Sequence, residues 1–118
     1  MSRVKAATPE HTEMMIVGSG FSNYAHWGAL SPVVSGPKGW EFIVENWDAY
    51  EECWKPWCIT HEMVMRAVRL IAKGEVKGAS ARLVTHCRFV MFDVDEVDLD
   101  AFDIDVLLQV VIHGRIIY

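Results

Sequence analysis

The sequence predicts one mainly α-helical domain of about four helices, with a small β-sheet formed by its N- and C-terminal segments. Three observations support this fold class. The chain has 118 residues, which is the usual size of a single domain. Hydrophobic residues make up 52% of the sequence, enough to fill one core. Apolar residues recur every three or four positions in several segments, as in helices that bury one face. An α+β fold is the alternative.

The first third of the chain predicts little regular structure. Residues 1–12 are polar, contain Pro9 and show no periodicity, so we expect a flexible leader before one globular domain over 13–118. Residues 14–17 form a short apolar run that indicates a buried strand. Residues 23–39 contain two prolines and three glycines, which predicts a loop.

The segment 40–54 allows two interpretations. Its apolar residues follow helical spacing: Trp40, Ile43, Val44, Trp47, Tyr50 and Trp54. Acidic residues occupy the positions between them, so we predict an amphipathic helix that ends before Pro56. The alternative is a strand over 40–45, because large apolar residues with high strand propensity alternate there with other side chains.

Local signals predict three further helices. Their predicted ranges are 60–73, 80–91, and a C-terminal helix that begins after Asp98 or Asp100 and ends at Gly114. Thr60 is suited to cap the first of them, and Gly74 stands just past its end. The β-branched run 110–112 and the tail 116–118 leave a pair of strands as the alternative for the C-terminal segment.

Charge is distributed unevenly along the chain, whose formal net charge is −5. Residues 54–92 carry seven cations and two anions, whereas residues 93–105 carry seven anions and no cation. A generic nucleic-acid binder usually presents a strongly basic surface, so the acidic balance argues against that class. No apolar run approaches the roughly 20 residues that cross a bilayer, which argues against a membrane-spanning protein.

Residues 93–105, named here the acidic strip, are the strongest functional signal in the sequence. Alternate carboxylates on an extended chain lie roughly 7 Å apart, a spacing comparable with that of successive nucleic-acid phosphates. The acidic strip therefore predicts a docking surface for a basic partner, in one form by nucleic-acid mimicry. With an acidic stripe from 40–54 and one tryptophan, the predicted partner-binding residues are Asp93, Asp95, Glu96, Asp98, Asp100, Asp103, Asp105, Glu41, Glu45, Asp48, Glu52 and Trp57. The alternative is structural, since such carboxylates also cap helices and neutralise nearby cations.

The basic helix pair predicted over 60–73 and 80–91 supports a second functional class. A nucleic-acid-binding regulator would contact phosphates through Arg66, Arg69, Lys73, Lys77, Arg82 and Arg88. The connection between the two helices is longer than the three or four residues of a helix-turn-helix, and the acidic strip that follows would repel DNA.

Cysteine and histidine residues suggest a third class, a small zinc protein. The candidate ligands are Cys53, Cys58, His61 and Cys87. Their spacing departs from the usual Cys-x2-Cys pattern, and Cys87 falls on an expected buried face, where cysteine acts as a small hydrophobe. Cys58 and His61 also have local spacing for nucleophilic catalysis, without a supporting signature. We therefore predict no metal, no cofactor and no catalytic residue.

These observations predict a small acidic non-catalytic protein that binds a larger protein or complex with a basic surface. A concrete form is an inhibitor of a nucleic-acid-processing host defence system, by analogy with the size and charge of phage and plasmid counter-defence proteins. Three cysteines without a secretion signal predict a cytoplasmic location. We expect no membrane partner, and nucleic acid only in the second class; a homodimer is compatible with the sequence.

Overall fold

The computed structural model describes residues 4–17, 28–30, 34–36, 39–48 and 50–116. In chain order the elements are α1 (Pro9–Val17), β1 (Gly28–Leu30), β2 (Val34–Gly36), β3 (Gly39–Asp48), β4 (Cys53–Thr60), α2 (His61–Ala72), α3 (Ala81–Phe92), a 3₁₀ helix (Val94–Glu96) and α4 (Ala101–His113). The predicted fold class, mainly helical with a small antiparallel sheet, is confirmed.

The sheet is built around β3. Strand β4 pairs with β3 along one edge, while β1 pairs with residues 44–46 and β2 with residues 39–41 of the opposite edge, all antiparallel. The sheet therefore comes from residues 28–60, not from the two ends of the chain as predicted. The loop predicted over 23–39 contains β1 and β2, and its remaining positions before Gly39 lie outside the described residues.

The helix predicted over 40–54 is wrong, and the alternative strand is correct. Trp40, Phe42 and Val44 are buried on one face of β3, and Glu41 lies on the exposed face. The rings of Trp40 and Phe42 stack with their centroids 5.9 Å apart. Every second residue is buried, so the large apolar side chains lie on one face of the strand, against the helices. This arrangement favours a strand over a helix for these residues.

The other three predicted helices are confirmed with their caps. The Thr60 hydroxyl accepts a hydrogen bond from the Met63 N–H at the start of α2, and Ser80 does the same for Leu83 at the start of α3. Gly114 ends α4 in the left-handed conformation, at φ 72°, which glycine adopts without a side-chain clash. Residues 110–112 are therefore helical, and the strand alternative for them is wrong.

Helix α4 is the most buried element. Ten of its side chains are buried, and Ile104, Leu107 and Leu108 are fully excluded from solvent. Three of the buried residues are polar, and two of them bond to each other: Gln109 Nε2 donates a hydrogen bond to Asp105 Oδ1 at 3.0 Å, one helical turn away. Pairing of the two polar groups with each other reduces the cost of burying them among apolar side chains.

The N-terminal segment packs against the end of α3. The backbone N–H groups of Lys5 and Ala7 donate to the carbonyls of Phe92 and Val90, at 2.9 and 2.8 Å, and Ala7 is buried. Helix α1 follows, where the sequence predicted a strand over 14–17, and it buries Ile16. Flexibility of the leader over 1–12 stays a prediction, although its described part makes these contacts.

Candidate partner-binding site

The β3–β4 hairpin presents one face that the helices do not cover. Strand alternation places on this outer face the residues Glu41, Ile43, Glu45, Trp54, Pro56 and Cys58, all exposed. Across the strands, Ile43 lies opposite Cys58, and Glu45 lies opposite Pro56. The outer face therefore combines apolar side chains with two carboxylates.

Three exposed aromatic side chains lie on the same hairpin. Tyr50, in the connection between the strands, is 98% exposed, and Trp54 on the outer face is 54% exposed. Trp57 lies opposite the buried Val44, at the margin of the helix-facing side, and is 37% exposed. Large aromatic groups are costly to leave in water and are enriched at the centres of protein interfaces.

The structure brings together on this hairpin all the predicted residues from 40–57. Glu41 and Glu45 project from the outer face, and Asp48 stands at the end of β3, opposite Cys53. Glu52 is exposed in the connection at a positive φ of 54°. The sequence grouped Glu41, Glu45, Asp48 and Glu52 on the face of a helix, whereas the structure places them on one hairpin.

The acidic strip is largely engaged within the molecule. Asp95 Oδ2 lies 2.6 Å from Lys5 Nζ, and Arg82 contacts both Asp98, at 3.8 Å, and Asp103. Asp103 and Asp105 are buried, and Asp100 caps α4. Two carboxylates of the strip, Asp93 and Glu96, are exposed and make no ion pair with the described residues.

The geometry of the acidic strip also differs from an extended ladder of charges. Val94–Glu96 forms a 3₁₀ helix, and α4 begins at Ala101. The two-residue alternation therefore does not continue along the strip, and its carboxylates lack the regular 7 Å spacing that extended chain would give.

Arg82 engages two of these carboxylates, Asp98 and Asp103. Its guanidinium donates hydrogen bonds to the Asp103 carboxylate and to the Asp98 carbonyl oxygen. The hydrogen bond to Asp103 raises the pKa of Arg82 above its usual range. At the start of α4, hydrogen bonds from the Asp103 backbone lower the pKa of Asp100, against a smaller effect of burial. The charged forms of these groups are the ones that the fold stabilises.

The six cations of the basic helix pair divide into two groups. Arg82 contacts the acidic strip, and the Arg88 Nε–H donates to the Ala72 carbonyl at 3.1 Å, at the end of α2. The other four are exposed and make no ion pair with the described part of the chain: Arg66, Arg69, Lys73 and Lys77. These four cations are therefore available to an anionic ligand.

The cysteines and histidines predicted as zinc ligands are not brought together. Cys87 is buried in α3, where burial raises the pKa of its thiol to about 12. Cys58 donates from Sγ to Glu41 Oε2 at 3.4 Å, and desolvation together with this hydrogen bond raises the pKa of Cys58. Within the described ranges, no group of three or more His, Cys, Asp or Glu side chains could hold a metal ion.

Sequence reasoning missed a buried hydrogen-bond network that joins α1, β3 and α2. The Trp40 Nε1–H donates to Thr12 Oγ1 at 2.9 Å, and the same oxygen lies 2.9 Å from His61 Nδ1. Burial lowers the pKa of His61, and Glu62 opposes the effect more weakly. The three residues are 28 and 49 positions apart, so no local pattern in the sequence could have connected them.

Comparison with known proteins finds no matching family model, no matching curated protein and no matching solved structure. Among the residues that the structure describes, no helix has both the length and the apolar character to cross a membrane. The candidate functional features are therefore the exposed side chains of the hairpin and of α2.

Proposed function

We propose that this protein is a non-catalytic interaction protein that binds a basic surface of a larger protein through the outer face of the β3–β4 hairpin. The observation that carries the proposal is the combination of exposed carboxylates and exposed aromatic side chains on one hairpin. Glu41 and Glu45 flank Ile43 on β3, and Trp54 is on the adjacent strand. Most carboxylates of the acidic strip have partners within the molecule, so the hairpin is the better candidate.

The chemistry of this face favours a cationic partner. Carboxylates attract lysine and arginine side chains, and tryptophan binds the same cations through the face of its ring. Arginine suits both contacts because its planar guanidinium stacks on aromatic rings and forms paired hydrogen bonds with carboxylates. A nucleic acid would be repelled by the carboxylates, and a second copy of the same face would place like charges opposite each other.

The apolar residues of the outer face give the site a centre that can be desolvated. Protein interfaces usually have an apolar or aromatic centre and a polar rim, and few residues supply most of the binding free energy. Ile43, Trp54 and Pro56 would form that centre, with Glu41 and Glu45 at the rim. Rim carboxylates of this kind chiefly increase the association rate and the specificity.

The proposal includes two more specific claims, one on the identity of the partner and one on the location of the protein. The first is that the partner is a nucleic-acid-processing host defence system and that binding inhibits it, which is supported only by the size and the acidic charge of the chain. The second is a cytoplasmic location, which is supported by three cysteines that are all free thiols.

The test compares two variants that remove the same number of negative charges. Glu41→Gln/Glu45→Gln alters the outer face of the hairpin, and Asp93→Asn/Glu96→Gln alters the two strip carboxylates that make no ion pair. A short oligo-arginine peptide is titrated into the full chain at low salt while tryptophan fluorescence is recorded. We expect saturable binding that the hairpin variant weakens by at least about fivefold and the strip variant by less than about twofold.

A pull-down from the native host, with the same variants as bait, extends the test to the natural partner. A protein that binds the wild type and the strip variant, but not the hairpin variant, supports the proposal when its retention also weakens with salt. Loss of binding with the strip variant alone would move the site to the acidic strip and refute the assignment to the hairpin. Circular dichroism verifies that both variants are folded.

A second candidate function is nucleic-acid binding through α2. It is favoured by Arg66, Arg69 and Lys73, which follow one another at intervals of three and four residues on an exposed side of the helix. A gel shift with duplex DNA at low salt tests it, with Arg66→Gln/Arg69→Gln as the matched variant. Binding that depends on these arginines, with a steep salt dependence, is the expected result for this function.

A further inference from the structure

A groove runs along the first turns of α2. It encloses about 310 Å³ and is lined by His61, Glu62, Met65, Arg66 and Arg69. All five residues belong to one side of the helix, since they are separated by one, three or four positions. The volume is at the lower end of the range found for small-molecule sites.

The two arginines are the first indication of what this groove binds. Arg66 and Arg69 make no ion pair with any described residue, whereas the guanidinium of Arg82 contacts Asp98 and Asp103. The Cβ atoms of residues three positions apart on a helix lie about 5–6 Å from each other. The two guanidinium groups can therefore converge on one anion, and arginine is especially suited to the oxygens of a phosphate group.

His61 supplies the second indication because a buried residue, Thr12, holds one nitrogen of its ring. Its Nδ1 lies 2.9 Å from Thr12 Oγ1, and Thr12 is fully buried and also accepts from Trp40. This anchoring leaves Nε2 as the ring nitrogen that is available to a ligand in the groove. Thr12 donates its one hydroxyl proton to the Pro9 carbonyl, so Nδ1 of His61 carries the ring proton and donates to Thr12 Oγ1. Nε2 of the neutral ring is then a hydrogen-bond acceptor, and it becomes a donor when the ring is protonated.

We propose that this groove binds the phosphate group of a small phosphomonoester, with Arg66 and Arg69 as the charged donors and His61 Nε2, when the ring is protonated, as a third donor. Glu62 lines the same groove and accepts hydrogen bonds, so the ligand that fits best carries hydroxyl groups next to its phosphate. This site is independent of the hairpin and does not rest on the proposed binding of a basic partner.

A small ligand fits the surroundings better than a polymer does. The lining residues span nine positions of α2, which corresponds to a rise of about 12 Å along the helix axis. A phosphomonoester carries up to two negative charges on one group, which the groove can hold. A nucleic acid would extend beyond the groove along the rest of this protein, whose formal net charge of −5 would repel it.

The experiment is a titration of the full-length chain with inorganic phosphate, at constant ionic strength, followed by two-dimensional ¹H–¹⁵N NMR. We expect saturable shifts of the amide signals of residues 61–69 and of the arginine side-chain signals. Arg66→Gln and Arg69→Gln should each weaken the affinity by about tenfold, because each removes a charge-assisted hydrogen bond. Lys77→Gln is the matched control, since it removes one exposed cation outside the groove and should change the affinity less than about twofold.

Three outcomes decide the proposal. Saturable shifts that both arginine variants abolish or weaken, with Lys77→Gln unchanged, support it. Shifts that do not saturate, or that the arginine variants leave unchanged, overturn it. A duplex DNA that shifts the signals of Lys73 and Lys77 while inorganic phosphate shifts none also overturns it, in favour of nucleic-acid binding. None of these results depends on whether the hairpin binds arginine-rich peptides.

Discussion

At the scale of single residues, Thr12 connects elements that are distant in the sequence. Its hydroxyl group is fully buried, accepts from Trp40 Nε1 at 2.9 Å, and lies 3.1 Å from the Pro9 carbonyl and 2.9 Å from His61 Nδ1. One oxygen atom therefore connects α1, the central strand and α2. Buried polar groups that satisfy one another in this way fix the relative placement of elements, because any shift leaves a donor unpaired.

Replacing this hydroxyl by a methyl group tests the network. Thr12→Val keeps the shape of the side chain but leaves Trp40 Nε1–H, which is buried, without its acceptor. We expect a loss of about 2 kcal/mol in the free energy of unfolding, measured by urea denaturation, because an unsatisfied buried polar group costs about 1–3 kcal/mol. The control is Thr85→Val, at an exposed position of α3, where the change should stay within about 0.5 kcal/mol. Equal effects of the two variants would contradict the role assigned to Thr12.

The histidines give a second prediction at this scale, for the dependence of stability on pH. Burial lowers the pKa of His61 and of His113 below their ordinary value of 6.5. The unfolded chain then binds protons before the folded chain does, so the free energy of unfolding should decrease as the pH falls through 6.5. The loss should level off once the pH is below the pKa values of the folded state. Urea denaturation at pH 7.5 and 5.5 measures the loss, and NMR titration of the ring protons measures each pKa. A His61 pKa at or above 6.5 would contradict this account.

At the scale of elements, the start of α4 is where the acidic strip contributes to the fold. Asp100 accepts from the Asp103 N–H, and Asp103 accepts from the Asp100 N–H, at 2.8 and 3.1 Å. Arg82 of α3 contacts the same Asp103 carboxylate. The N-terminal end of a helix also favours negative charge, so carboxylates at this position stabilise the most buried helix of the molecule.

Two aspartates of the acidic strip should therefore differ in their effect on stability. Asp100→Ala removes the cap of α4 and should lower the free energy of unfolding by about 1 kcal/mol. Asp95→Ala removes an exposed ion pair with Lys5 and should lower it by less than about 0.5 kcal/mol. Urea denaturation of both variants at pH 7 provides the comparison. If Asp95→Ala were the more damaging of the two, the capping role of Asp100 would be refuted.

The hairpin explains why one element was wrongly predicted from the sequence. Trp47 and Trp54 are seven residues apart, which matches two turns of a helix, but in the structure they are direct cross-strand partners. The connection after β3 reverses the chain, and the same spacing then places the two residues side by side on neighbouring strands. The alternation of Trp40, Phe42 and Val44 was the signal that identified the strand. Over so few positions, the apolar residues fit both a helical and a strand periodicity, so their spacing alone did not separate the two.

The remaining elements show which signals in the sequence were sufficient. Helices α2, α3 and α4 were predicted because cap residues and apolar periodicity agree at each of them. Helix α1 was missed although Thr8, Pro9 and Glu10 form a typical helix start, a cap residue followed by proline and an acidic first turn. The groove on α2 could not be predicted, since the anchoring of His61 by Thr12 exists only in the folded chain.

At the scale of the whole molecule, the most buried side chains and the exposed candidate binding residues lie in different parts of the fold. The buried side chains that the structure describes in the hairpin belong to its half nearest α2, among them Phe42, Val44 and Ile59. The described side chains of residues 53–57 are half-buried or exposed. Helix α4, by contrast, is buried around most of its circumference. The free energy needed to open each part therefore differs, and it is larger for α4 than for the end of the hairpin, because it scales with the apolar surface removed from water.

This difference predicts how hydrogen exchange varies across the molecule. The amides of Leu107 and Leu108 should exchange only when the whole chain unfolds, so their exchange free energy should equal the free energy of unfolding measured with urea. The paired amides of residues 53–57 should exchange through local opening, at a free energy lower by at least about 2 kcal/mol and almost independent of denaturant. Native-state hydrogen exchange at several urea concentrations measures both sets. An oligo-arginine peptide that binds the hairpin should slow exchange in 53–57 and also in α4, because local opening of the hairpin and global unfolding both require its release. Equal exchange free energies in the two regions would mean that the hairpin and the helices unfold as one unit, and the hairpin would then not be a separately ordered docking element.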